Sequence, residues 1–407
     1  MYGLLGRKLS HSLSPQIHSY FGSYGYGLFC RESEELDSFF EDESIDAFNV
    51  TIPYKIEAFD RCDILSDTAK EIGSVNTVVR KGGMLYGYNT DLFGFEYMVK
   101  RAGAEFAGKK VLVLGSGGAS KTAVASSKRL GAREVLVISR SGENNYENIY
   151  DNEDAQIIVN TTPVGMFPEN GVSPVSLKKF KHIEFVADLI YNPCMTALLI
   201  EADELGIPYT NGMPMLVAQG FLSSELFFDK KYDDGIIENA LTDIIHRMKN
   251  IVLIGMPGSG KTTAGKALAG LTGKSFADTD EMIVKSEGRS IPDIFEQSGE
   301  EYFRNAETAA VTECGKRLGI IIATGGGAVM RKKNRDALRQ NGLVIYLRRG
   351  LDELSREGRP LSSGDGALSR IFEERRAVYE GFADYIIDVD RDPEVTAERL
   401  LKCVSLY

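Results

Sequence analysis

The sequence predicts an α/β protein with two parallel-sheet units, and two observations lead to this prediction. Short apolar runs typical of buried strands alternate with helical stretches in two separate series. A glycine-rich turn follows the first strand of each series, at Gly115 and again at Gly255. A strand, a glycine-rich turn and a helix in that order are typical of nucleotide-binding folds, because the turn lets the backbone approach phosphates. The strand-like runs are residues 111–114, 135–138, 157–159 and 185–190, then 251–254, 319–323 and 343–347.

Composition restricts the classes of function. A chain of 407 residues with 43% apolar residues can form two or three domains with real cores. The chain has no 18-residue apolar run and does not begin like a signal peptide, so we expect a cytoplasmic protein with no membrane partner. A net charge of −11 argues against a nucleic-acid partner. The five cysteines are scattered and lack metal-site spacing, which suits reduced thiols. The oligomeric state is left open.

The second glycine-rich turn, residues 255–263, is a complete P-loop. Its backbone N–H groups would wrap around a phosphate chain, Lys261 would supply a charge to the β- and γ-phosphates, and the Thr262 hydroxyl would hold Mg²⁺. Ala264, Leu268 and Leu271 follow at helical spacing, so the loop opens a helix and is not a chance match. The predicted ATP-binding residues of this loop are Gly258, Ser259, Gly260, Lys261, Thr262 and Thr263.

The first glycine-rich turn predicts a dinucleotide site. Gly115 permits a tight turn and Gly117 permits close approach of a pyrophosphate, although Ser120 stands where the general fingerprint has its third glycine. At the end of the next strand, Arg140 lies between two serines where an NAD site would carry an acidic residue, so NADP is favoured. A structural turn and a solvated arginine are the alternatives. The predicted NADP residues here are Gly115, Ser116, Gly117, Gly118, Ala119, Ser139 and Arg140.

Further motifs give the first half a family resemblance. They are residues 10–15 (SHSLSP), 49–55 (NVTIPYK), 73–77 (GSVNT), 87–91 (GYNTD), 160–166 (NTTPVGM) and 211–219. In this order, together with the turn at Gly115, they resemble shikimate dehydrogenase over residues 1–248. The resemblance implies that Ser12 and Ser14 hold a carboxylate and that Lys55 and Asp91 form the catalytic pair. It also implies substrate contacts from Thr51, Asn76, Tyr191 and Gln219, and cofactor contacts from Asp67, Leu189 and Gly212.

The chemistry of these residues supports that resemblance. A polyhydroxylated acid needs neutral hydrogen-bonding groups to fix its orientation, and Ser12, Ser14, Thr51, Asn76 and Gln219 are such groups. When a carbonyl is reduced, the developing alkoxide needs a proton, which a lysine paired with a carboxylate can donate. We expect Lys55 to be that donor, and a surface salt bridge with Asp91 is the alternative.

One departure from the family lies in residues 141–153, an Asn-rich polar stretch. Relatives usually fit a further helix and strand there beside the adenosine, and this stretch is too short for both. We therefore predict a trimmed Rossmann sheet, an exposed adenosine end and weakened NADP binding.

The second half resembles shikimate kinase from residue 250 onward. Besides the P-loop, the motifs are residues 276–280 (FADTD), 303–307 (FRNAE), 324–329 (TGGGAV), 358–361 (GRPL) and 374–379 (ERRAVY). We expect Asp278 and Asp280 to alternate along a strand end, so that both face one side. The resemblance implies that Asp278 joins Thr262 at Mg²⁺ and that Asp280 is the catalytic acid of the acceptor site. A structural Ca²⁺ site, the alternative for this pair, lacks further oxygen ligands.

The remaining kinase residues follow from the same resemblance. Arg304 and Arg375 would grip the acceptor's carboxylate, a task that suits the guanidinium fork. Gly325, Gly326 and Gly327 would let the backbone approach the acceptor ring. Arg359 would be a lid arginine that neutralises charge on the transferring phosphoryl group, and Lys261 and Arg359 complete the predicted catalytic set. Arg356, Arg391 and Pro393 would border the nucleotide base.

Together the two resemblances imply a bifunctional enzyme of the pathway to chorismate and the aromatic amino acids. It would reduce 3-dehydroshikimate with NADPH and then phosphorylate shikimate with ATP and Mg²⁺. We expect a dehydrogenase substrate domain at 1–90 with 214–248 returning to it, a Rossmann NADP domain at 91–213 and a nucleoside-monophosphate-kinase-like P-loop domain at 249–407. Three alternatives remain: a quinate or quinate/shikimate dehydrogenase, a redox-inactive ligand sensor in the first half, and a regulatory P-loop ATPase.

Overall fold

The computed structural model describes residues 1–9, 12–233, 235–354 and 367–405. The chain divides into two compact units. The first comprises Met1–Met166, Val172–Tyr191 and Glu201–Ile244, and the second comprises Phe167–Gly171, Asn192–Ile200 and the chain from Ile245 onward. No helix among the described residues has the length and apolar character needed to cross a membrane.

The first unit contains two sheets. Its strands are β1 (Tyr2–Gly6), β2 (Tyr26–Cys30), β3 (Ala47–Val50), β4 (Ile64–Leu65), β5 (Thr77–Lys81), β6 (Met84–Tyr88), β7 (Lys110–Leu114), β8 (Glu134–Ile138), β9 (Ile157–Asn160), β10 (Phe185–Asp188) and β11 (Tyr209–Thr210). The helices of the first part of the chain are α1 (Ser14–His18), α2 (Leu36–Glu41), α3 (Lys55–Arg61), α4 (Asp67–Ile72), α5 (Asp91–Arg101), α6 (Gly118–Arg129), α7 (Ala197–Glu204), α8 (Met213–Phe228) and α9 (Gly235–Met248).

The first sheet is mixed and has the order β2-β1-β3-β5-β6-β4. Strands β3 and β5 are antiparallel, as are β5 and β6, so β3 and β6 run in the same direction with β5 between them. Their C-terminal ends therefore reach the same edge of the sheet, where α3 and α5 begin. Helix α8 packs against α5 at Gly94, where an added Cβ would lie 2.6 Å from the Met215 carbonyl oxygen. This close approach brings the residues of α8 to the same edge.

The second sheet is parallel and has the order β11-β10-β9-β7-β8. Its central strands β7, β9 and β10 are buried along their whole length, as expected for strands covered on both faces. The predicted trimmed Rossmann sheet is confirmed. Within the fully described stretch between β8 and β9, the regular structure is one short 3₁₀ helix, Ile149–Asn152. Strand β8 is consequently an edge strand.

The second unit is built on one parallel sheet of order β13-β14-β12-β15-β16. Apolar residues of β12, β14 and β15 are buried between helices on both faces, so the core lies around the strand that precedes the P-loop. Its strands are β12 (Asn250–Ile254), β13 (Phe276–Asp278), β14 (Ile321–Ala323), β15 (Gly342–Arg348) and β16 (Tyr385–Asp388), and its helices are α10 (Lys261–Thr272), α11 (Thr279–Glu287), α12 (Ile291–Lys316), α13 (Lys332–Arg339), α14 (Ala367–Phe382) and α15 (Pro393–Ser405).

Candidate active sites

Lys55 and Asp91, the predicted catalytic pair, are in contact. Each is the first residue of its helix, α3 and α5, and Nζ of Lys55 donates a hydrogen bond to Oδ2 of Asp91 over 2.6 Å. A carboxylate at a helix N-terminus is favoured by the exposed N–H groups there. The lysine side chain is 27% exposed and the aspartate 14%. A bound substrate can therefore reach the pair, and its protons can exchange with water.

The second carboxylate oxygen of Asp91 is also occupied. Nδ2 of Asn76 donates to Oδ1 of Asp91 over 2.8 Å, while Oδ1 of Asn76 accepts the backbone N–H of Thr90 over 2.8 Å. The Thr90 hydroxyl in turn donates to Oε1 of Gln219 over 3.5 Å. With both oxygens engaged, the carboxylate is held in one orientation and Lys55 is directed by it.

Lys55, Asp91, Asn76 and Gln219 line a cavity of about 600 Å³ in the first unit. Burial raises the pKa of Tyr191 in its wall, so this hydroxyl stays neutral and can donate a hydrogen bond. Three predicted cofactor residues, Ala119, Leu189 and Gly212, line the same cavity. All the predicted substrate residues lie in its wall: Ser12, Ser14, Thr51, Lys55, Asn76, Asp91, Tyr191 and Gln219.

Sequence reasoning missed a buried polar cluster at this cavity, which reaches the cavity wall at Asn49. Nδ2 of Asn49 donates to the hydroxyls of Ser223 and Thr77 over 2.8 and 3.0 Å. The Ser223 hydroxyl also lies 3.2 Å from that of Thr90. The cluster therefore supports Thr90, which contacts Asn76 and Gln219. Asn49 and Thr77 belong to the motifs at 49–55 and 73–77, which were a usable signal for them, whereas Ser223 lies outside every motif.

The turn between β7 and α6 fits a dinucleotide. Gly115 has φ of +100°, and a Cβ there would lie 3.0 Å from Oγ1 of Thr161, so only glycine suits the position. Gly117 is the N-cap of α6, and Gly118 is its first residue. The N–H groups in the first turn of a helix have no partner within the helix, so the N-terminus of α6 favours an anion such as a pyrophosphate.

The other predicted cofactor residues are placed differently. Ser139 and Arg140 directly follow β8, and the Arg140 side chain is exposed, which suits a 2′-phosphate at the open end of the trimmed sheet. Ser116 lines a groove beside α6. Asp67 begins α4, is exposed and is not among the described residues that line the cavity, so its role stays a prediction.

The P-loop has the backbone that its glycines predict. Gly255, Gly258 and Gly260 adopt φ of +144°, +85° and +88°, which are conformations that other residues rarely take. Nζ of Lys261 donates to the carbonyls of Gly255 and Met256 over 2.9 and 2.8 Å. The loop is thus already wrapped around the ammonium group that a phosphate chain would contact.

Thr262 and Asp278 fit the predicted Mg²⁺ site. The Thr262 hydroxyl donates to Oδ2 of Asp278 over 2.6 Å. No group of three or more His, Cys, Asp and Glu side chains that could hold a metal lies in the part of the chain that the structure describes. A hydroxyl and one carboxylate suit Mg²⁺, which keeps several waters and takes its other ligands from substrate phosphates.

The expected alternation of Asp278 and Asp280 along a strand end is wrong. Strand β13 ends at Asp278, whose side chain caps α11 by accepting the backbone N–H of Asp280 over 2.9 Å. Asp280 therefore lies in the first turn of that helix. The tendency of aspartate to cap a helix overrides the extended backbone. Both residues nevertheless line one cavity, of about 500 Å³.

The predicted acceptor residues meet at this cavity. Arg304 forms salt bridges with Glu307 over 2.9 Å and with Glu300 over 3.1 Å. Burial raises the pKa of Glu307, an effect that the nearby Arg304 opposes. Arg375 is 9% exposed and lines the same wall. Glu307 was missed as a site residue, although its spacing of three residues from Arg304 on one helix was a usable signal.

Each glycine of the turn after β14 makes a close contact. A Cβ on Gly325 would lie 2.6 Å from Oδ1 of Asp280, and one on Gly327 would lie 2.3 Å from Nη1 of Arg304. A Cβ on Gly326 would lie 2.6 Å from the Pro257 ring of the P-loop. The turn therefore brings the backbone against the acid, the guanidinium and the nucleotide loop together.

The predicted ATP residues are partly assembled here. Gly258, Gly260, Lys261, Thr262 and Thr263 line the cavity, and Ser259 is buried within the loop. The side chain of Arg391 is 89% exposed, and its Nη2 lies 3.7 Å from Oε1 of Glu353. Arg391 is not among the described residues of the cavity wall. Pro393 is the first residue of α15. Arg356 and Arg359 lie outside the described residues.

Arg349 is a further cation in this wall that the motifs did not identify. It directly follows β15, and its Nη1 would lie 3.9 Å from a Cβ on Gly260 of the P-loop. Ligands of parallel α/β sheets bind at the C-terminal ends of the strands, so its position soon after the strand-like run 343–347 was a usable signal for a ligand site, whereas its proximity to the P-loop was not.

Comparison with known proteins assigns both halves. Residues 4–78 match the shikimate dehydrogenase substrate binding domain, and residues 257–405 match shikimate kinase. A shikimate dehydrogenase (NADP(+)) from Clostridium perfringens is 34% identical over 267 residues, which cover 60% of this chain and 98% of the relative. The chain belongs to the shikimate dehydrogenase family and carries a shikimate kinase domain in its C-terminal part.

Solved structures agree with this assignment for the shikimate dehydrogenase part. Shikimate dehydrogenase 1 from Peptoclostridium difficile is 37% identical with a TM-score of 0.56, covering 60% of this chain and 97% of that one. Shikimate 5-dehydrogenase from Thermus thermophilus, solved with NADP(H) and shikimate, is 30% identical with a TM-score of 0.54, covering 60% and 98%.

Proposed function

We propose that the first unit reduces the carbonyl of 3-dehydroshikimate and that the second phosphorylates the 3-hydroxyl of the resulting shikimate. The reduction is supported by the 2.6 Å hydrogen bond from Lys55 to Asp91 in a cavity that neutral polar groups also line. The second activity is supported by a P-loop that shares one cavity with Asp280 and two arginines. The chain is a bifunctional enzyme of the shikimate pathway that uses NADP(H), ATP and Mg²⁺.

In the reduction, Lys55 is the proton donor. NADPH, when bound, supplies the hydride for the carbonyl carbon. Nζ of Lys55 gives a proton to the carbonyl oxygen, and Asp91 keeps Nζ in place and stabilises its charged form before the transfer. Lys55 then regains a proton from water, which its 27% exposure permits. Ser12 and Ser14 bind the substrate carboxylate, and Thr51 and Gln219 bind its hydroxyls.

In the phosphorylation, Asp280 receives the proton of the acceptor hydroxyl. ATP with Mg²⁺, when bound, supplies the phosphoryl group. Arg304 and Arg375, which line the same cavity as the P-loop, bind the acceptor's carboxylate and so orient its ring. Lys261 stabilises negative charge on the phosphates, and Thr262 and Asp278 hold the metal. A lid role for Arg359 remains a proposal from the family resemblance.

The test is to measure both activities on one preparation of the full chain. We expect Lys55→Ala to lower the kcat for NADPH oxidation with 3-dehydroshikimate at least about 100-fold, which is the usual contribution of a general acid. The ATP-dependent phosphorylation of shikimate should be unchanged. Asp280→Asn should have the opposite pattern. Lys100→Ala and Asp336→Asn change exposed, ion-paired residues and serve as controls.

Each alternative predicts a different outcome of that experiment. A redox-inactive sensor does not oxidise NADPH, and a regulatory ATPase hydrolyses ATP at a rate independent of shikimate. A quinate dehydrogenase turns over quinate with NAD faster than shikimate with NADP. Any of these results would refute the corresponding half of the proposal.

We further infer a cytoplasmic location from the cysteines. All five are free thiols. This suits a reducing compartment, since an oxidising one favours disulfides. Cell fractionation followed by detection of the full chain checks this inference, and recovery in a secreted fraction would contradict it.

A further inference from the structure

The glycine turn of the kinase cavity is held from two sides. The backbone N–H of Gly325 donates to the Thr279 hydroxyl over 3.0 Å. The carbonyl of Gly326, one residue later, accepts a short hydrogen bond of 2.5 Å from the hydroxyl of Tyr379 on α14. Thr279 and Tyr379 are both 0% exposed, so neither bond competes with water.

The bond from Tyr379 determines which way the peptide between Gly326 and Gly327 faces. In a trans peptide the N–H points opposite to the C=O, so the N–H of Gly327 is directed away from Tyr379. Two consecutive glycines rotate more freely than other residues, and this peptide would otherwise have several accessible orientations. Gly327 lies against Arg304, since a Cβ there would be 2.3 Å from Nη1. The orientation of this peptide therefore decides whether the N–H of Gly327 lies beside the Arg304 guanidinium as a second hydrogen-bond donor.

Tyr379 is also linked to the second arginine of the acceptor site. Arg375 precedes it by one helical turn on α14, the spacing at which side chains meet. Burial raises the pKa of Tyr379 to about 12, and the Arg375 guanidinium opposes this rise through its charge and a hydrogen bond. The hydroxyl is consequently protonated at neutral pH. It donates to the Gly326 carbonyl, and its oxygen keeps a lone pair on the side of Arg375.

The ring of Tyr379 is fixed independently of its hydroxyl. It stacks on Tyr346 of β15, with ring centroids 5.1 Å apart and an interplanar angle of 21°. Tyr346 is 1% exposed and is not among the described residues of the cavity wall. Removing the Tyr379 hydroxyl therefore leaves the ring in place, and Tyr346 offers a second tyrosine of the same stack for comparison.

We propose that Tyr379 is a positioning residue of the kinase acceptor site, whose hydroxyl holds the Gly326 carbonyl one helical turn away from Arg375. By fixing the peptide after Gly326, it directs the N–H of Gly327 toward the carboxylate that Arg304 and Arg375 bind. The inference rests on the proposed phosphorylation of shikimate and adds a residue that selects for the acid group of the acceptor.

The test compares Tyr379→Phe with Tyr346→Phe in the full chain. We expect Tyr379→Phe to raise the KM for shikimate about tenfold, which corresponds to roughly one hydrogen bond to a charged group. The kcat and the KM for ATP should stay within about twofold of the unmodified chain, because a group that only binds the acceptor acts equally before and in the transition state. Tyr346→Phe should change none of these values.

A second readout separates positioning from a merely structural role. Shikimate methyl ester lacks the charged carboxylate, so the preference of the kinase for the acid over the ester should fall about tenfold in Tyr379→Phe and stay constant in Tyr346→Phe. A loss of stability alone lowers the active fraction and leaves that preference unchanged. Unchanged preference with an active kinase would overturn this inference alone. An unmodified chain that phosphorylates neither compound would overturn the proposed function as well.

Discussion

Arg348 and Arg349 are neighbours in the sequence, yet they have different surroundings. Arg348 ends β15 and forms an ion pair with Asp388 at 2.6 Å on the exposed end of β16. Arg349 lines the kinase cavity, and its Nε lies 3.9 Å from Oε2 of Glu353, which is too long for a hydrogen bond. Successive residues leave a strand toward opposite sides, so the second guanidinium is available to the nucleotide phosphates.

We therefore expect Arg349→Gln to raise the KM for ATP about fivefold to tenfold, because one charge-assisted contact to a phosphate is lost. Arg348→Gln, which removes the same charge one residue earlier, should leave that KM unchanged. Steady-state phosphorylation of shikimate at varied ATP measures both. Equal effects of the two substitutions would mean that only the net charge matters and that Arg349 makes no specific contact.

At the scale of the element, the segment after β10 depends on one glycine. Leu189 and Tyr191 follow this strand and line the dehydrogenase cavity. Gly212, the residue before α8, lies so close to Leu189 that a Cβ would be 2.0 Å from the Leu189 carbonyl oxygen. No L side chain fits at that distance without a backbone shift.

Gly212→Ala should accordingly displace the segment that carries Leu189 and Tyr191. We expect a fall of at least about tenfold in kcat/KM for 3-dehydroshikimate, since small misplacement of positioning groups costs much of their effect. Kinase activity should be retained. Gly25→Ala is the matched control, because a Cβ there meets nothing within 4 Å. A Gly212→Ala variant with normal dehydrogenase kinetics would show that the segment can adjust freely.

At the scale of the whole molecule, the trimmed Rossmann sheet has a consequence for cofactor affinity. Strand β8 is an edge strand, and the stretch before β9 contains one 3₁₀ helix in place of a further helix and strand. The adenosine end of NADPH would find fewer apolar contacts there. We expect NADPH to bind this chain about tenfold more weakly than it binds the shikimate 5-dehydrogenase of Thermus thermophilus, a difference of about 1.4 kcal/mol.

Fluorescence titration of NADPH onto the full chain measures that affinity. The same titration with reduced nicotinamide mononucleotide, which lacks the adenosine half, serves as the control, since both proteins should bind it alike. Arg140→Ala should weaken the binding of NADPH and leave that of the mononucleotide unchanged. Affinity for NADPH as tight as in the relative would contradict the prediction.

Much of both sites could be predicted because the residues lie in short motifs whose local geometry is set by their own chemistry. The three P-loop glycines with positive φ are an example, since few other residues adopt that backbone. The family resemblance of their motifs also predicted the pairing of Lys55 and Asp91, and the structure shows that each begins a helix. The alternation of Asp278 and Asp280 failed because the sequence pattern alone did not show that Asp278 caps a helix.

The motifs and their resemblance to two families thus predicted the α/β class, the trimmed sheet, the two nucleotide turns and most of the polar groups in each cavity. The folded chain alone revealed Ser223 beneath Thr90, Tyr379 at the Gly326 carbonyl and Arg349 beside Gly260. These contacts join residues that are 133, 53 and 89 positions apart. The physical reason is that a motif records backbone preference and side-chain chemistry over a few residues, whereas such contacts depend on which strands are neighbours and where their ends meet.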